Sequence, residues 1–166
     1  MILNKNNKET DSFLDINNDI TRIIKIMNEC QELKKLLKIT TKKPLEHKAE
    51  IKEDFRDKQI GRQPIIPFDE NEGSNIVVTL LSAEENMTTD TLHPCLVIDI
   101  FTPGNQWIIN EGVRPLQIAH VVSNLMKNEL QQTGGVKYRC TAIVNAQLND
   151  VLCGYSMIYE AVIDDR

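Results

Sequence analysis

Between Cys95 and Leu130 the hydrophobic period of the chain changes once, and that change dictates a strand followed by a helix. Leu96, Ile98 and Ile100 alternate with Val97, Asp99 and Phe101, the two-residue period of a strand whose faces differ. Thr102-Pro103-Gly104-Asn105 interrupts the alternation with a Pro-Gly turn signal. Trp107, the single tryptophan, follows with Ile108 and Ile109, and Asn110-Glu111-Gly112 is a second break. Arg114-Pro115 then opens a helix, because proline suits a first turn where its missing N–H costs nothing. Ile118, Val121, Val122 and Leu125 fall on one face at helical spacing.

Three further strands fit around this unit. Ile76 to Ala83 is a dense β-branched run. Val136 to Asn145 places Tyr138, Cys140, Ala142 and Val144 on one face. Cys153 to Ile163 alternates Tyr155, Met157, Tyr159, Ala161 and Ile163. Two strand pairs flank one helix, which predicts an α+β fold: a mostly antiparallel sheet of about four strands with a helix packed on one face.

The earlier part of the chain reads as an N-terminal helical extension or arm, residues 1–62, ahead of an α+β domain at residues 63–166. Asp15 to Ile39 carries Ile16, Ile20, Ile23, Ile24, Met27, Cys30 and Leu37 at helical spacing, with Asn17, Asn18 and Asp19 as candidate N-cap residues. Either this helix packs on its own sheet, or it is an arm that docks on a neighbouring subunit. Thr40 to Arg62 is the most hydrophilic stretch and reads as a solvated face or as a segment that orders against a partner. The two prolines of Gln63 to Phe68 predict extended chain. Asp69 to Asn75 and Glu84 to His93 read as long polar loops, the second joining two strands.

The 166 residues, 41% of them hydrophobic, suffice for one main domain with a packed core. A net charge of −5 argues against a protein that coats nucleic acid, though not against a surface that faces nucleic acid without gripping it. Cys30, Cys95, Cys140 and Cys153 form no C-x-x-C pair and sit among apolar neighbours, as reduced thiols of a cytosolic protein do. His47, His93 and His120 have no metal-ligand spacing. No apolar run reaches signal-peptide or membrane-span form, so the expectation is a protein assembled in a cytosol, with no membrane partner.

No phosphate loop, dinucleotide fingerprint, zinc-protease helix or nucleophile elbow is present. Asp99 lies mid-strand without a partner close in sequence, and His93 and Cys95 lack an accompanying oxyanion donor. The expectation is no enzyme, no cofactor and no metal. Arg114 stands out because a cation at a helix N-terminus opposes the helix dipole. Its compensation is either a local pair with Glu111 or an anion from a neighbouring subunit.

Residues from about 63 to 163 resemble the small proteins that close or join the tails of double-stranded DNA bacteriophages: tail terminator, tail completion and neck proteins. The likeness lies in the strand, turn and tryptophan of LVIDIFTPGNQW, the helix start Asn110, Arg114, Pro115, Leu116, and the closing strand Gly154 to Glu160. Residues 1–62 depart from it, being longer than the compact family domain needs. The resemblance implies a structural virion protein assembled in the host bacterial cytoplasm. It implies a homo-oligomeric ring, hexamer or dodecamer, at the head–tail junction or tail end. Its neighbours would be neck, tail-tube or portal-adaptor proteins, with genome DNA passing through without specific binding. The corresponding interface candidates are Arg114, Trp107, Glu84 and Glu85, with Asp69, Glu70, Glu72 and Asp90 as further acidic residues of the loops. The alternatives are a small non-catalytic cytosolic adaptor acting as monomer or dimer, and a small enzyme built on Cys95, His93 or Asp99.

Overall fold

A computed structural model describes residues 12–63, 73–86, 91–132 and 136–162. Two helices, α1 (Phe13–Glu29) and α2 (Gln31–Lys38), come first, and a two-residue strand β1 (Ile60–Gly61) follows. Strands β2 (Asn75–Asn86) and β3 (Thr91–Pro103) precede a small ribbon of β4 (Ile108–Ile109) and β5 (Gly112–Val113). Helix α3 (Arg114–Gln132) leads to β6 (Tyr138–Gln147) and β7 (Leu152–Ala161).

The main sheet has five strands in the order β1-β2-β3-β7-β6. All neighbours are antiparallel except β1, which runs parallel to β2 over Ile60↔Ile76 and Gly61↔Val77. The fold is α+β, and β1 is the strand that periodicity alone does not reveal, being too short to show a period. Leu96, Ile98 and Ile100 are fully buried while Val97, Asp99 and Phe101 are half-buried, as their alternation predicts. Register carries that inner face across the sheet through Ile76 and Val78 on β2 and Met157 and Tyr159 on β7. On it lies α3, burying Ile118, Val121, Val122 and Leu125.

Gly154 sits hard against β3: a Cβ there would stand 1.6 Å from the Ile100 carbonyl oxygen, so only glycine fits.

The expected single helix from Asp15 to Ile39 is two helices. Cys30 is extended (φ −78, ψ 110) and serves as the end of α1 and the start of α2. A straight helix would continue the line of Ile23 and Met27 toward Lys34 and leave Leu33 and Leu36 off it. The break re-phases the chain, so Leu33, Leu36 and Leu37 all reach 0% exposure in the same core as α3. Helix α1 begins earlier than expected, at Ser12, whose hydroxyl accepts from Asp15 N at 3.3 Å. Asp19, a candidate cap by sequence, is buried instead and accepts from Tyr138 OH at 3.2 Å and Arg22 Nη1 at 3.2 Å.

The hydrophilic stretch after α2 also packs inward. Phe55 and Ile60 are fully buried. Asn28 Oδ1 accepts from Phe55 N at 2.8 Å, and Gln31 exchanges two hydrogen bonds with the Ile51 backbone. Lys34 Nζ donates to the carbonyls of Ile51 (3.3 Å) and Glu53 (2.6 Å) and lies 5.4 Å from the Phe55 ring centroid. These tethers are side chain to backbone across 17 to 27 residues, which is why spacing of apolar residues does not reveal them.

Candidate functional site

Arg114 is the largest fully buried side chain among the described residues. Its Nε donates to Gln106 O at 2.9 Å, Nη1 to Leu36 O (2.8 Å) and Ile39 O (2.6 Å), and Nη2 to Thr41 O (2.7 Å). The guanidinium therefore sits at the C-terminus of α2, where a helix leaves carbonyls unpaired and carries negative dipole charge. Two other carbonyls there are also met: Lys35 O takes Ile39 N, and Leu37 O takes Ser74 N at 2.8 Å and Gln59 Nε2 at 3.3 Å. Gly73, at φ +97, lets that chain pass: a Cβ would lie 2.1 Å from Leu37 O.

Both sequence readings of Arg114, a pair with Glu111 and a salt bridge to a neighbouring subunit, are thus corrected. The charge opposes the dipole of α3 but satisfies the dipole of α2, and no face of it reaches solvent. Burial pulls its pKa down while Glu111 pulls it back up, and arginine stays protonated at any ordinary pH. Arg114 is a clamp that joins α2 to the turn before α3.

Trp107 is half-buried beside the clamp. Its carbonyl accepts from Arg114 N at 2.8 Å, and its ring tilts against Tyr155 at 6.1 Å between centroids. Glu84 and Glu85 are exposed, but not in a loop: they lie on β2, with Glu84 opposite His93 and Glu85 opposite Leu92 on β3. The polar composition of the hairpin's far end concealed that its strands extend this far. Asp69, Glu70, Glu72 and Asp90 lie outside the described residues, as does most of the Gln63 to Phe68 segment.

His93, Cys95 and Asp99 share the outer face of β3 by alternation, yet they form no relay. His93 Nε2 lies 3.5 Å from Thr91 Oγ1, and Asp99 accepts from the Ser156 hydroxyl. Burial raises the Cys95 thiol pKa, and Glu160 and Glu84 raise it further against an opposing hydrogen bond from Ser82. A thiol so placed holds its proton and is a poor nucleophile. All four cysteines are free thiols. Among the described residues no group of three or more His, Cys, Asp and Glu is arranged to hold a metal, and no helix is long and apolar enough to cross a membrane.

What the sequence did not single out is a set of uncovered apolar side chains. Ile143 (51%) and Val144 (46%) lie on β6, and Leu148 (50%) and Val151 (43%) lie in the turn that follows. Leu80 (37%) and Leu81 (56%) lie on β2, at the opposite side of the sheet. A β-bulge in each strand, between Leu80 and Ser82 and between Cys140 and Ala142, breaks the alternation on which a sequence reading of these faces depends.

The fold and these surfaces define a small α+β protein with a cross-braced helical layer and, among the described residues, exposed apolar side chains on β2 and β6. The family model named YomW matches residues 31–161, and the chain belongs to the YomW family. That is a phage-derived family, which makes the chain a phage-related protein. No curated protein matches it.

Proposed function

We propose that the chain is a structural protein of a tailed bacteriophage, a subunit of a ring at the head–tail junction or tail end through which the genome passes. The observation that supports this reading most is the match of residues 31–161 to a phage-derived family. The net charge of −5 suits a channel wall that does not grip phosphate. On this reading the chain acts by assembly, without catalysis or cofactor. Its neighbours are further copies of itself and the neck, tail-tube or portal-adaptor proteins next to it. It is built in the host cytoplasm and stays in the virion.

The test is a deletion of the gene in a producing phage, with lysates viewed by negative-stain electron microscopy. The expected lysate holds filled heads without joined tails, or tails of uncontrolled length. Normal yields of infectious, intact particles would overturn the proposal.

A further inference from the structure

We propose that copies of this chain join head to tail by charge, the exposed strip of β2 from Leu80 to Glu85 in one copy docking on the lysine-rich segment from Lys34 to Arg62 of the next. The inference deepens the ring reading above and rests on it.

The charges of the chain are segregated. Residues 34–62 hold ten of its 19 lysines and arginines but five of its 24 aspartates and glutamates, so this segment carries +5 and the remainder of the chain −10. Lys34 is buried and occupied by the Ile51 and Glu53 carbonyls. Five further cations pair with acids of the same segment. Lys42, Lys48 and Lys52 are exposed, and among the described residues no acid lies within ion-pair distance of them.

The fold gathers this surplus at one end of the sheet. Leu37 O accepts from Ser74 N at 2.8 Å and Gln59 O from Ile76 N at 2.7 Å, which fixes both parts of the segment where β2 begins. Lys42 O accepts from Asn110 N at 2.8 Å, past the end of β3, and that end lies beside the start of β2 through Asn75↔Phe101. Glu84 and Glu85 stand eight and nine residues beyond Ile76 on β2, about 26–30 Å away at about 3.3 Å per residue. Both are exposed, and among the described residues no lysine or arginine lies within ion-pair distance of them. Leu80 (37%) and Leu81 (56%) precede them on the same strand, so the strip is apolar at one end and acidic at the other. Glu160, which with Glu84 is close enough to Cys95 to raise its thiol pKa, adds a carboxylate, with Arg139 across from it.

The two surfaces are too far apart to meet within one subunit. A contact between unlike faces is heterologous, and its repetition closes a ring when the rotation allows. Whole copies at −5 repel one another at long range. At 0.1 M salt, however, the screening length is about 10 Å, well under the separation of the two surfaces, so the charge at the contact outweighs the net charge of the bodies. A nucleic acid is the other polyanion that a basic segment attracts. It would meet five acids interleaved with the cations and the −10 of the remaining chain, and it would leave Leu80 and Leu81 uncovered. A second copy covers them.

A charge-swap mixture tests this. Glu84→Lys with Glu85→Lys reverses one surface, and Lys42→Glu with Lys48→Glu and Lys52→Glu reverses the other. All five side chains are exposed, and melting verifies that both variants fold. Sedimentation velocity of the concentrated chain is the readout. The parent associates, and high salt weakens the association. Each variant alone associates roughly tenfold more weakly, the effect of several exposed charge pairs turned repulsive. Mixed in equal amounts, the two variants associate again, because each altered surface fits the altered surface of the other. A mixture no stronger than the separate variants overturns the inference. A parent that stays monomeric also overturns it, and if the same three lysines then hold a short fluorescent DNA duplex, the basic segment serves phosphate instead. Immunoblots of purified phage particles separate this contact from the ring reading beneath it. A chain present in particles whose mixture fails removes the contact and leaves the ring reading standing. A restored mixture from a chain absent from particles keeps the contact and removes the virion role.

Discussion

Replacing Arg114 by methionine keeps most of the stem's packing and removes the fork. The bonds to Gln106 O and Leu36 O are fully buried, and those to Ile39 O and Thr41 O are partly buried. Each buried carbonyl left unpaired costs about 1–3 kcal/mol, or about 2–6 kcal/mol for two. The partly buried pair recovers water and adds little. Loss of a cation from the C-terminus of α2 adds about 0.3–1 kcal/mol, and release of the guanidinium from burial offsets part of the total. The expected net cost is about 3–5 kcal/mol, the range for breaking a buried charge arrangement from one side. That is a large fraction of the about 5–15 kcal/mol that holds a domain folded. At about 2–4 °C per kcal/mol for a chain of this size, the melting temperature falls by roughly 6–20 °C. Urea unfolding should show the midpoint lowered at unchanged slope. Arg114→Lys should fall between, since one ammonium cannot span Gln106 O and Thr41 O together. If Arg114→Met loses less than about 1 kcal/mol, the clamp carries no stability and the reasoning fails.

Gly154→Ala should destabilise by several kcal/mol or prevent folding, because the new methyl meets the Ile100 carbonyl and only backbone movement of β3 or β7 relieves it; a variant melting with the parent would refute the close approach. Burial raises the pKa of Tyr138, as does the carboxylate of Asp19 beside it, and burial raises that of Tyr159. Raised folded-state values mean that the folded chain holds these protons longer than the unfolded one. Their stabilisation is complete below about pH 10 and is lost as pH rises beyond it, at up to about 1.4 kcal/mol per pH unit per tyrosine. Urea midpoints measured between pH 8 and pH 11 check this, and a Tyr138→Phe variant should flatten the alkaline limb. Burial likewise raises the thiol pKa of Cys30, Cys95 and Cys140. Iodoacetamide should therefore label them more slowly at pH 8 than it labels a free thiol, and rapid labelling of Cys95 would revive a nucleophilic role.

The strand from Leu96 to Ile100 and the stripe from Ile118 to Leu125 were legible because each is a local period read against a single buried face. Arg114 was half legible. Its position announced a charge in need of compensation, but three of its four partners lie 73, 75 and 78 residues away. They are backbone carbonyls, which leave no mark in a sequence. Asn17, Asn18 and Asp19 carry the right chemistry for a cap, as Ser12 does, and which residue caps depends on where α1 meets the core. Phe55 and Ile60 are sparse in a hydrophilic stretch and reach the core through tethers from Asn28, Gln31 and Lys34. The exposed apolar residues of β2 and β6 were illegible for another reason: only the strand order shows which strands lie outermost, and only the ladder shows the bulges at Leu81 and Thr141 that break their alternation.

Counting copies in the virion tests the ring most directly. Purified particles would be digested and the chain quantified by isotope-dilution mass spectrometry against the major capsid protein. A ring predicts a fixed copy number per particle, that of a hexamer or a dodecamer, unchanged by stringent washing. A chain absent from the particles, or present at a variable fraction of a copy, would contradict it.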